Sequence, residues 1–381
     1  MTVYKNPGDV YRELGLRPAI TASGPMTHHG GSRLRPEIIE AMRAASQAMI
    51  DVHALNDRAG DIVAKYTGAE AGMVCSGASG GLTLQAAAVM TGTDKGRIDR
   101  LPDTTGMKNE IIIQNTQRFP FEQGYRAAGA RLVGVGNFLR CEPWHIEAAI
   151  TDRTAAVAFL VAPYLPHNAL SLPDVIKVAH AHNLPVLVDA AEVVPPRENF
   201  KKYIALGADM VTYSGGKAIR GPQGTGLLAG RKDLIAAARL NAAPNLSIAR
   251  GQKVAKEEIV GLLKALDIFA AQDENEENAR YRRMAQHVVD TIGEVAGLEL
   301  SVRYDKRDWL MPMAVIHLTP QWRGPSRDTI VQRLLNPDAS GPIFIHTLSD
   351  PDNLAVHPLN LDDNELDIVA TRLKQELNAK P

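Results

Sequence analysis

Residues 185–230 read PVLVDAAEVVPPRENFKKYIALGADMVTYSGGKAIRGPQGTGLLAG. Short apolar runs in this stretch predict strands at 185–190, 209–213 and 226–229. Between the first two lies enough chain for one helix, which is the connection typical of parallel neighbours in a sheet. We therefore expect a mostly parallel sheet with helices on both faces.

Predicted strands and helices also alternate in the chain before this stretch, and the sequence pattern changes after about Val254. Further strands are predicted at 71–75, 110–114, 131–135 and 154–162, and helices at 36–49, 57–66, 122–128 and 174–182. Beyond a charged helical stretch, strands are predicted at 298–302, 314–318 and 343–346, and helices at 327–335 and 364–377. The predicted domains are an N-terminal segment packing on the core (1–50), a large domain (51–255), a helical connector (256–296) and a smaller C-terminal α+β domain (297–381).

Composition narrows the class of protein. The 381 residues include 45% hydrophobic and 22% charged ones, with a net charge of −1, which fits a globular protein without a nucleic-acid partner. Two cysteines, Cys75 and Cys141, are too few for a disulfide framework or a structural zinc site, so we expect no metal. The chain has no apparent signal peptide and no run of roughly 18 apolar residues, so a cytoplasmic location without a membrane partner is predicted.

Lys217 is the first candidate for chemistry. It follows a predicted strand and two glycines, Gly215 and Gly216, which allow the backbone and a ligand to approach closely. A lysine is costly to bury, and a buried amine readily forms an imine with an aldehyde. The alternative is an exposed lysine in a loop.

Asp189 is the second candidate, because it closes the apolar strand PVLVD 28 residues before Lys217. In an open parallel sheet, ligands bind beyond the carboxyl ends of the strands, and both residues fall at or just past such ends. A carboxylate there can keep a pyridine nitrogen protonated, so that pyridoxal 5′-phosphate (PLP) becomes an electron sink. The alternative is a turn or capping aspartate. The pair predicts a PLP site in which Lys217 and Asp189 are catalytic.

SGASGG, at 76–81, is a glycine-rich turn that opens a helix. The backbone N–H groups of Gly77, Ala78 and Ser79 are candidates to hold the cofactor phosphate. Ser214, three residues before the lysine, is a further hydrogen-bond donor. The alternative is an ordinary turn, since the segment has neither the lysine of a P-loop nor the glycine spacing of a dinucleotide site.

Three segments together carry a family resemblance: 26–42 (MTHHGGSRLRPEIIEAM), 109–136 and 170–235. The chain resembles the PLP-dependent selenocysteine synthase-like family, and within it the D-glucosaminate-6-phosphate ammonia-lyase-like branch. This resemblance implies an α/β fold of PLP fold type I, similar to aspartate aminotransferase, with a large sheet domain and a smaller C-terminal domain. It also implies that Lys217 forms the Schiff base, that Asp189 faces the ring nitrogen, and that 77–79 and Ser214 bind phosphate.

The resemblance also implies an assembly, and this sequence departs from the family pattern at two positions. It implies a homodimer or larger homo-oligomer with the site at the interface, where the turn containing Gln223 and Thr225 contacts phosphate. Gln117 occupies the place where related sequences tend to carry a histidine stacked on the cofactor ring, and an amide stacks less well. His357 stands where an arginine for the substrate carboxylate is expected, with Arg118 and Arg220 as the alternatives.

Three more histidines are candidates for substrate binding. His28 and His29 lie in a polar N-terminal segment before two glycines, either at the mouth of the site or in a solvated turn. His167 follows the predicted strand 154–162 at its carboxyl end.

The predicted function is PLP-dependent α,β-elimination of the ammonia-lyase type. The substrate is expected to be an amino acid or amino-sugar acid, with Lys217 as the general base at Cα. Racemisation, aldol cleavage and sulfur or selenium transfer use the same residues and stay open as alternatives. A non-catalytic PLP-binding protein is the alternative from another class.

Overall fold

The computed structural model describes residues 8–162, 168–305, 309–336, 341–348 and 350–380. Leu34–Ala271 forms the larger of two compact units, and the described residues before and after it form the smaller. The domain boundaries expected from the sequence stay predictions. In the ranges described, no helix has the length and apolar character that crossing a membrane requires.

The strands are short and, in the larger unit, mostly buried. In chain order they are β1 (Ile20–Ala22), β2 (Ala71–Ser76), β3 (Glu110–Gln114), β4 (Arg131–Val135), β5 (Thr154–Leu160), β6 (Val186–Asp189), β7 (Met210–Ser214), β8 (Thr225–Gly230), β9 (Leu298–Asp305), β10 (Trp309–Leu318), β11 (Ile343–Thr347) and β12 (Asn353–Val356).

The helices alternate with these strands. They are α1 (Asp9–Glu13), α2 (Pro36–Ser46), α3 (Val52–Thr67), α4 (Gly77–Thr91), α5 (Lys95–Arg100), α6 (Gln123–Ala127), α7 (Pro143–Ala149), α8 (Leu172–Ala181), α9 (Asn199–Ala205), α10 (Lys232–Asn241), α11 (Lys256–Ala271), α12 (Glu274–Ile292), α13 (Arg327–Leu335) and α14 (Asp363–Leu377).

The larger unit is built on a seven-stranded sheet in the order β2-β8-β7-β6-β5-β3-β4. From β7 to β4 all neighbours are parallel, whereas β8 is antiparallel to both β7 and β2. The predicted α/β fold with a mostly parallel central sheet is therefore confirmed.

Side chains of successive strand residues enter two different cores. On β6, Val186 and Val188 pack with residues of α2, α3, α8 and α11, whereas Leu187 packs with residues of α4 and α10. Because side chains alternate between the two faces of a sheet, a strand covered by helices on both faces is apolar at every position. This explains the continuous apolar runs that predicted the central strands.

Sequence signals also fix helix ends. The Asp51 carboxylate accepts a hydrogen bond from the His53 N–H at 2.8 Å, at the start of α3. The same helix ends at Gly68, whose left-handed backbone (φ 69°) lets its N–H bond back to Ala64.

The predicted helical connector is two helices rather than one. Asp273 caps the start of α12, where its carboxylate accepts hydrogen bonds from the N–H groups of Asn275 and Glu276. An aspartate competes with the backbone for hydrogen bonds, so it favours a helix start over a helix interior. The division between the two units falls at this break, between Ala271 and Gln272.

The smaller unit contains a five-stranded sheet in the order β1-β11-β12-β10-β9. β1 is parallel to β11, and the other neighbours are antiparallel. Helices α12 and α14 pack on each other, and α12 also packs on β10. The unit thus combines α and β elements from both termini of the chain.

Candidate active site

Three parallel strands end side by side at one edge of the larger sheet. Leu160 of β5 pairs with Asp189 of β6, which pairs with Thr212 of β7. The pairing continues past the strand ends, because the Ala190 N–H donates to the Thr212 carbonyl at 2.9 Å. Residues that follow these strands therefore gather at this edge.

Asp189 is the last residue of β6, and it is 6% exposed. Burial raises the pKa of its carboxyl group to about 6, although a hydrogen bond from Ala191 and the charge of Lys217 act in the opposite direction. The Ala191 N–H reaches Oδ1 at 3.0 Å. The edge thus holds a carboxylate that is costly to keep charged without a cationic partner.

Lys217 lies in a tight turn that follows β7. The Gly215 N–H donates to the Thr225 carbonyl at 2.9 Å, and the Arg220 N–H donates to the Lys217 carbonyl at 2.8 Å. A Cβ atom added at Gly216 would come within 2.6 Å of Gln223 Cα, so the turn has no room for a side chain there. The two glycines before the lysine are explained by this packing.

The Lys217 amine has a close acidic partner that was not predicted. Its Nζ lies 2.6 Å from Glu192 Oε2, and the two side chains are 24% and 37% exposed. The charge of Lys217 also acts to lower the pKa of Asp189, against the larger effect of burial.

The segment 76–81 is the start of a helix rather than a separate turn. Helix α4 begins at Gly77, whose φ of +61° favours glycine, and the Gly77 N–H donates to the Gly224 carbonyl at 2.9 Å. Ser76, at the N-cap, makes no side-chain hydrogen bond to the first turn. The N–H groups of Ala78 and Ser79 therefore have no side-chain cap, as suits an anion site.

The reversed direction of β8 brings a third segment to the same edge. Thr225, at the start of β8, pairs with Ser76 of β2, and the next residue, Gly226, pairs with Ser214 of β7. The Thr225 hydroxyl is buried and donates to the Pro222 carbonyl at 2.6 Å. Its observed role is to hold the turn, while Gln223 is exposed on that turn.

Gln117 lies beside Asp189 in a small cavity that Leu82, Glu122 and Tyr125 also line. It is buried at the end of a 3₁₀ turn after β3, and its Oε1 accepts a hydrogen bond from the Leu160 N–H at 3.2 Å. Its amide is therefore fixed against the end of β5.

The two candidate arginines differ in their surroundings. Arg118 makes a bidentate ion pair with Glu122, with distances of 2.5 and 2.7 Å from Nε and Nη2. It would have to share or release Glu122 to bind a substrate carboxylate. Arg220 adopts a left-handed backbone (φ 60°) three residues after Lys217.

Three of the four histidine candidates, His28, His29 and His357, belong to the smaller unit. His29 Nδ1 lies 2.7 Å from Ser23 Oγ, and the ring stacks on Phe344 at 3.7 Å. His28 is exposed beside it. His357 is buried, and its burial, followed by the proximity of His346, lowers its pKa to about 3. A neutral, buried ring offers no positive charge to a carboxylate. His167 lies outside the described residues.

Residues 108–321 match the model of the family described as Aminotransferase class-V.

The chain belongs to the aminotransferase class-V family.

Similar proteins support this assignment. D-glucosaminate-6-phosphate ammonia lyase of Salmonella typhimurium is 35% identical over 303 residues, covering 78% of this chain and 79% of the relative. A solved structure of a D-glucosaminate-6-phosphate ammonia-lyase matches with a TM-score of 0.84 and 29% identity, covering 97% of this chain and 98% of that one. The predicted resemblance and PLP fold type I are confirmed for this class-V protein.

Other relatives carry different names. A 5′-C-glycyluridine monooxygenase-decarboxylase of Streptomyces is 30% identical over 331 residues, covering 85% of this chain and 81% of the relative. An L-seryl-tRNA(Sec) selenium transferase of Solidesulfovibrio magneticus is 27% identical, covering 94% and 82%. Class-V enzymes depend on PLP, so the predicted cofactor and the prediction of an enzyme are confirmed.

The edge residues of this class-V enzyme fit that cofactor. The buried Asp189 carboxyl group accepts a hydrogen bond from the Ala191 N–H, and a protonated pyridine nitrogen would supply the positive charge that its ionised form needs there. The uncapped N–H groups at the start of α4 suit a phosphate. Lys217 would supply the amine for the aldehyde.

Sequence reasoning missed Glu192 and the polar pair behind Asp189. The Tyr125 hydroxyl donates to Gln85 Oε1 at 3.1 Å, and Gln85 Nε2 donates to the Val188 carbonyl at 3.2 Å. Burial, and then the charge of Asp189, raises the pKa of Tyr125 well above its usual range. Glu192 carried no local signal in the sequence, because only the folded turn after β6 brings it to Lys217.

Proposed function

We propose that this enzyme removes ammonia from an amino acid or amino-sugar acid by PLP-dependent α,β-elimination. The proposal is supported by the positions of Asp189 at the carboxyl end of β6 and of Lys217 in the turn after β7, its parallel neighbour in the sheet. It is supported further by the 35% identity to a relative named an ammonia lyase. A homo-oligomer with a shared site and a cytoplasmic location stay predictions.

The cofactor, when bound, supplies an aldehyde that takes up the substrate amine and a ring that withdraws electrons from the substrate Cα. In the proposal, Lys217 would hold the aldehyde covalently and then, as a free amine, take the proton from Cα. Asp189 would keep the ring nitrogen protonated. Ala78, Ser79 and Ser214 would bind the phosphate through N–H and hydroxyl groups.

Gln117 would lie against the ring, where its amide is already fixed by the Leu160 N–H. The turn of Gln223 and Thr225 is proposed to contact the phosphate bound by a neighbouring subunit. Candidates for the substrate carboxylate are Arg118 and Arg220, and His28 and His29 are candidates for its remaining polar groups.

A substrate panel tests the proposal. We expect the PLP-loaded protein to release ammonia and a 2-keto acid from D-glucosaminate 6-phosphate, unphosphorylated D-glucosaminate or a smaller β-hydroxy amino acid. Lys217→Ala should lose this activity, whereas Lys177→Ala, a change of an exposed lysine on α8, should retain it. Racemised substrate, an aldehyde product or selenium transfer without ammonia would instead favour the corresponding alternative chemistry.

A further inference from the structure

The Glu192 side chain lies at the Lys217 amine, and the proposed reaction gives Glu192 no role so far. The two charged groups are 2.6 Å apart, and each side chain is only partly exposed. An adjacent carboxylate favours the ammonium form of an amine over the neutral form, although solvent reduces the effect.

The turn that carries Glu192 is held at several points. The Ala191 N–H donates to Asp189 Oδ1 at 3.0 Å, and the Ala191 carbonyl accepts from the Ser214 N–H at 3.3 Å. The next residue, Val193, is buried in the core. Because its neighbours on both sides are fixed, the Glu192 side chain starts from a defined position beside the lysine.

We propose that Glu192 is a positioning residue that orients the Lys217 amine and stabilises it as an ammonium after it has taken the substrate α-proton. The inference rests on the proposed function, in which Lys217 is the base. In that step the substrate Cα–H bond breaks, its electron pair stays on the substrate, and the Lys217 lone pair forms the new N–H bond. Glu192 then pairs with the resulting positive charge.

This role predicts two opposite effects of removing the Glu192 charge. An ammonium cannot attack an aldehyde, so Glu192 slows cofactor loading at neutral pH. During turnover the same ion pair favours proton removal. Glu192→Gln should therefore load PLP faster and turn over more slowly, whereas damage to the structure alone would slow both.

The experiment uses the full-length protein, first stripped of cofactor and then mixed with PLP from neutral to alkaline pH. For Glu192→Gln, the rate of imine formation at neutral pH should rise roughly threefold to tenfold. The rate of deuterium exchange at the substrate Cα should fall roughly tenfold to a hundredfold, with little change in KM. Asp189, on which the charge of Lys217 also acts, is unchanged in this comparison.

Glu198→Gln is the matched control, because it removes the same charge from an exposed side chain six residues away. We expect it to behave as wild type, and Glu192→Asp to restore the wild-type loading rate at least in part. Unchanged loading and exchange in Glu192→Gln would overturn the inference. If that variant does not fold, Glu192→Ala takes its place: faster loading together with slower exchange supports the inference, and any other combination overturns it.

The proposed function can fail separately. A wild-type protein that exchanges the α-proton but releases no ammonia contradicts the elimination, and its exchange rates still test Glu192. A wild-type protein that loads PLP and exchanges nothing with any substrate overturns both.

Discussion

Gly226 lies directly against Gly77: a Cβ atom added to Gly226 would overlap the Gly77 carbonyl group. The start of β8 and the start of α4 therefore touch through their backbones. This contact holds the first turn of α4 in place beside the ends of β2 and β7, where the phosphate of the cofactor is proposed to bind.

Gly226→Ala should displace the start of α4. Overpacking of this kind costs about 1–3 kcal/mol, and we expect weaker PLP binding together with a lower Tm. Equilibrium binding of PLP and thermal unfolding measure the two effects. Gly251→Ala is the control, since a Cβ atom there meets no atom within 4 Å. Equal PLP affinity in both variants would show that the contact does not matter for the phosphate site.

Thr225→Val should loosen the turn between Lys217 and β8. The Thr225 hydroxyl is buried and donates to the Pro222 carbonyl at 2.6 Å, so its loss should cost about 1 kcal/mol of unfolding free energy. Thr225→Ser keeps the hydroxyl and serves as the comparison. Denaturant titration gives the free energies. The prediction is wrong if the valine variant is as stable as wild type while the serine variant is weaker.

Asp189→Asn should stabilise the cofactor-free protein while weakening the holoenzyme. Burial raises the pKa of Asp189 to about 6 from an unfolded value of 3.8, so the folded protein holds the charged form at a cost above pH 6. The amide avoids that cost, and the gain is about 2–3 kcal/mol at pH 8.

As the pH falls from about 6 towards 4, folded Asp189 takes up its proton before the unfolded chain does. The advantage of Asp189→Asn should shrink over this window. Urea unfolding of both cofactor-free proteins at several pH values measures the difference. A stability difference that does not change with pH would contradict the burial argument.

His357→Asn should make the protein less sensitive to acid. Burial lowers the pKa of folded His357 to about 3, whereas the unfolded value is 6.5, so the unfolded chain binds the proton first as the pH falls. The contribution of the neutral ring is present above pH 6.5 and is lost progressively below it, by at most about 5 kcal/mol. Unfolding free energies between neutral and mildly acidic pH measure the slope. A variant with the same slope as wild type would rule out His357 as a source of acid sensitivity.

The central sheet and the positions of Asp189 and Lys217 at or just after strand ends could be predicted because their causes are local in sequence. Strands buried on both faces are continuous apolar runs, and a polar residue that ends such a run marks the strand edge. Asp189 follows directly from this pattern. Lys217 stands out because two glycines precede it, and close packing leaves no room for side chains at those two positions.

Features that depend on distant contacts could not be predicted in this way. β1 has three residues and pairs with β11, more than three hundred positions later in the chain. Glu192 resembles any loop glutamate until the turn after β6 brings it to Lys217. The break before α12 could in principle have been predicted from the sequence, because Asp273 is a typical helix cap.

The antiparallel direction of β8 has a consequence for how catalytic specificity can diverge. Since the chain reverses within a few residues of Lys217, the proposed backbone contacts to the cofactor phosphate come from short turns at one end of the sheet. Side chains elsewhere around the proposed active site can then be substituted without disturbing those backbone contacts. Such a separation would let related enzymes acquire new reactions by changing the groups that meet the substrate.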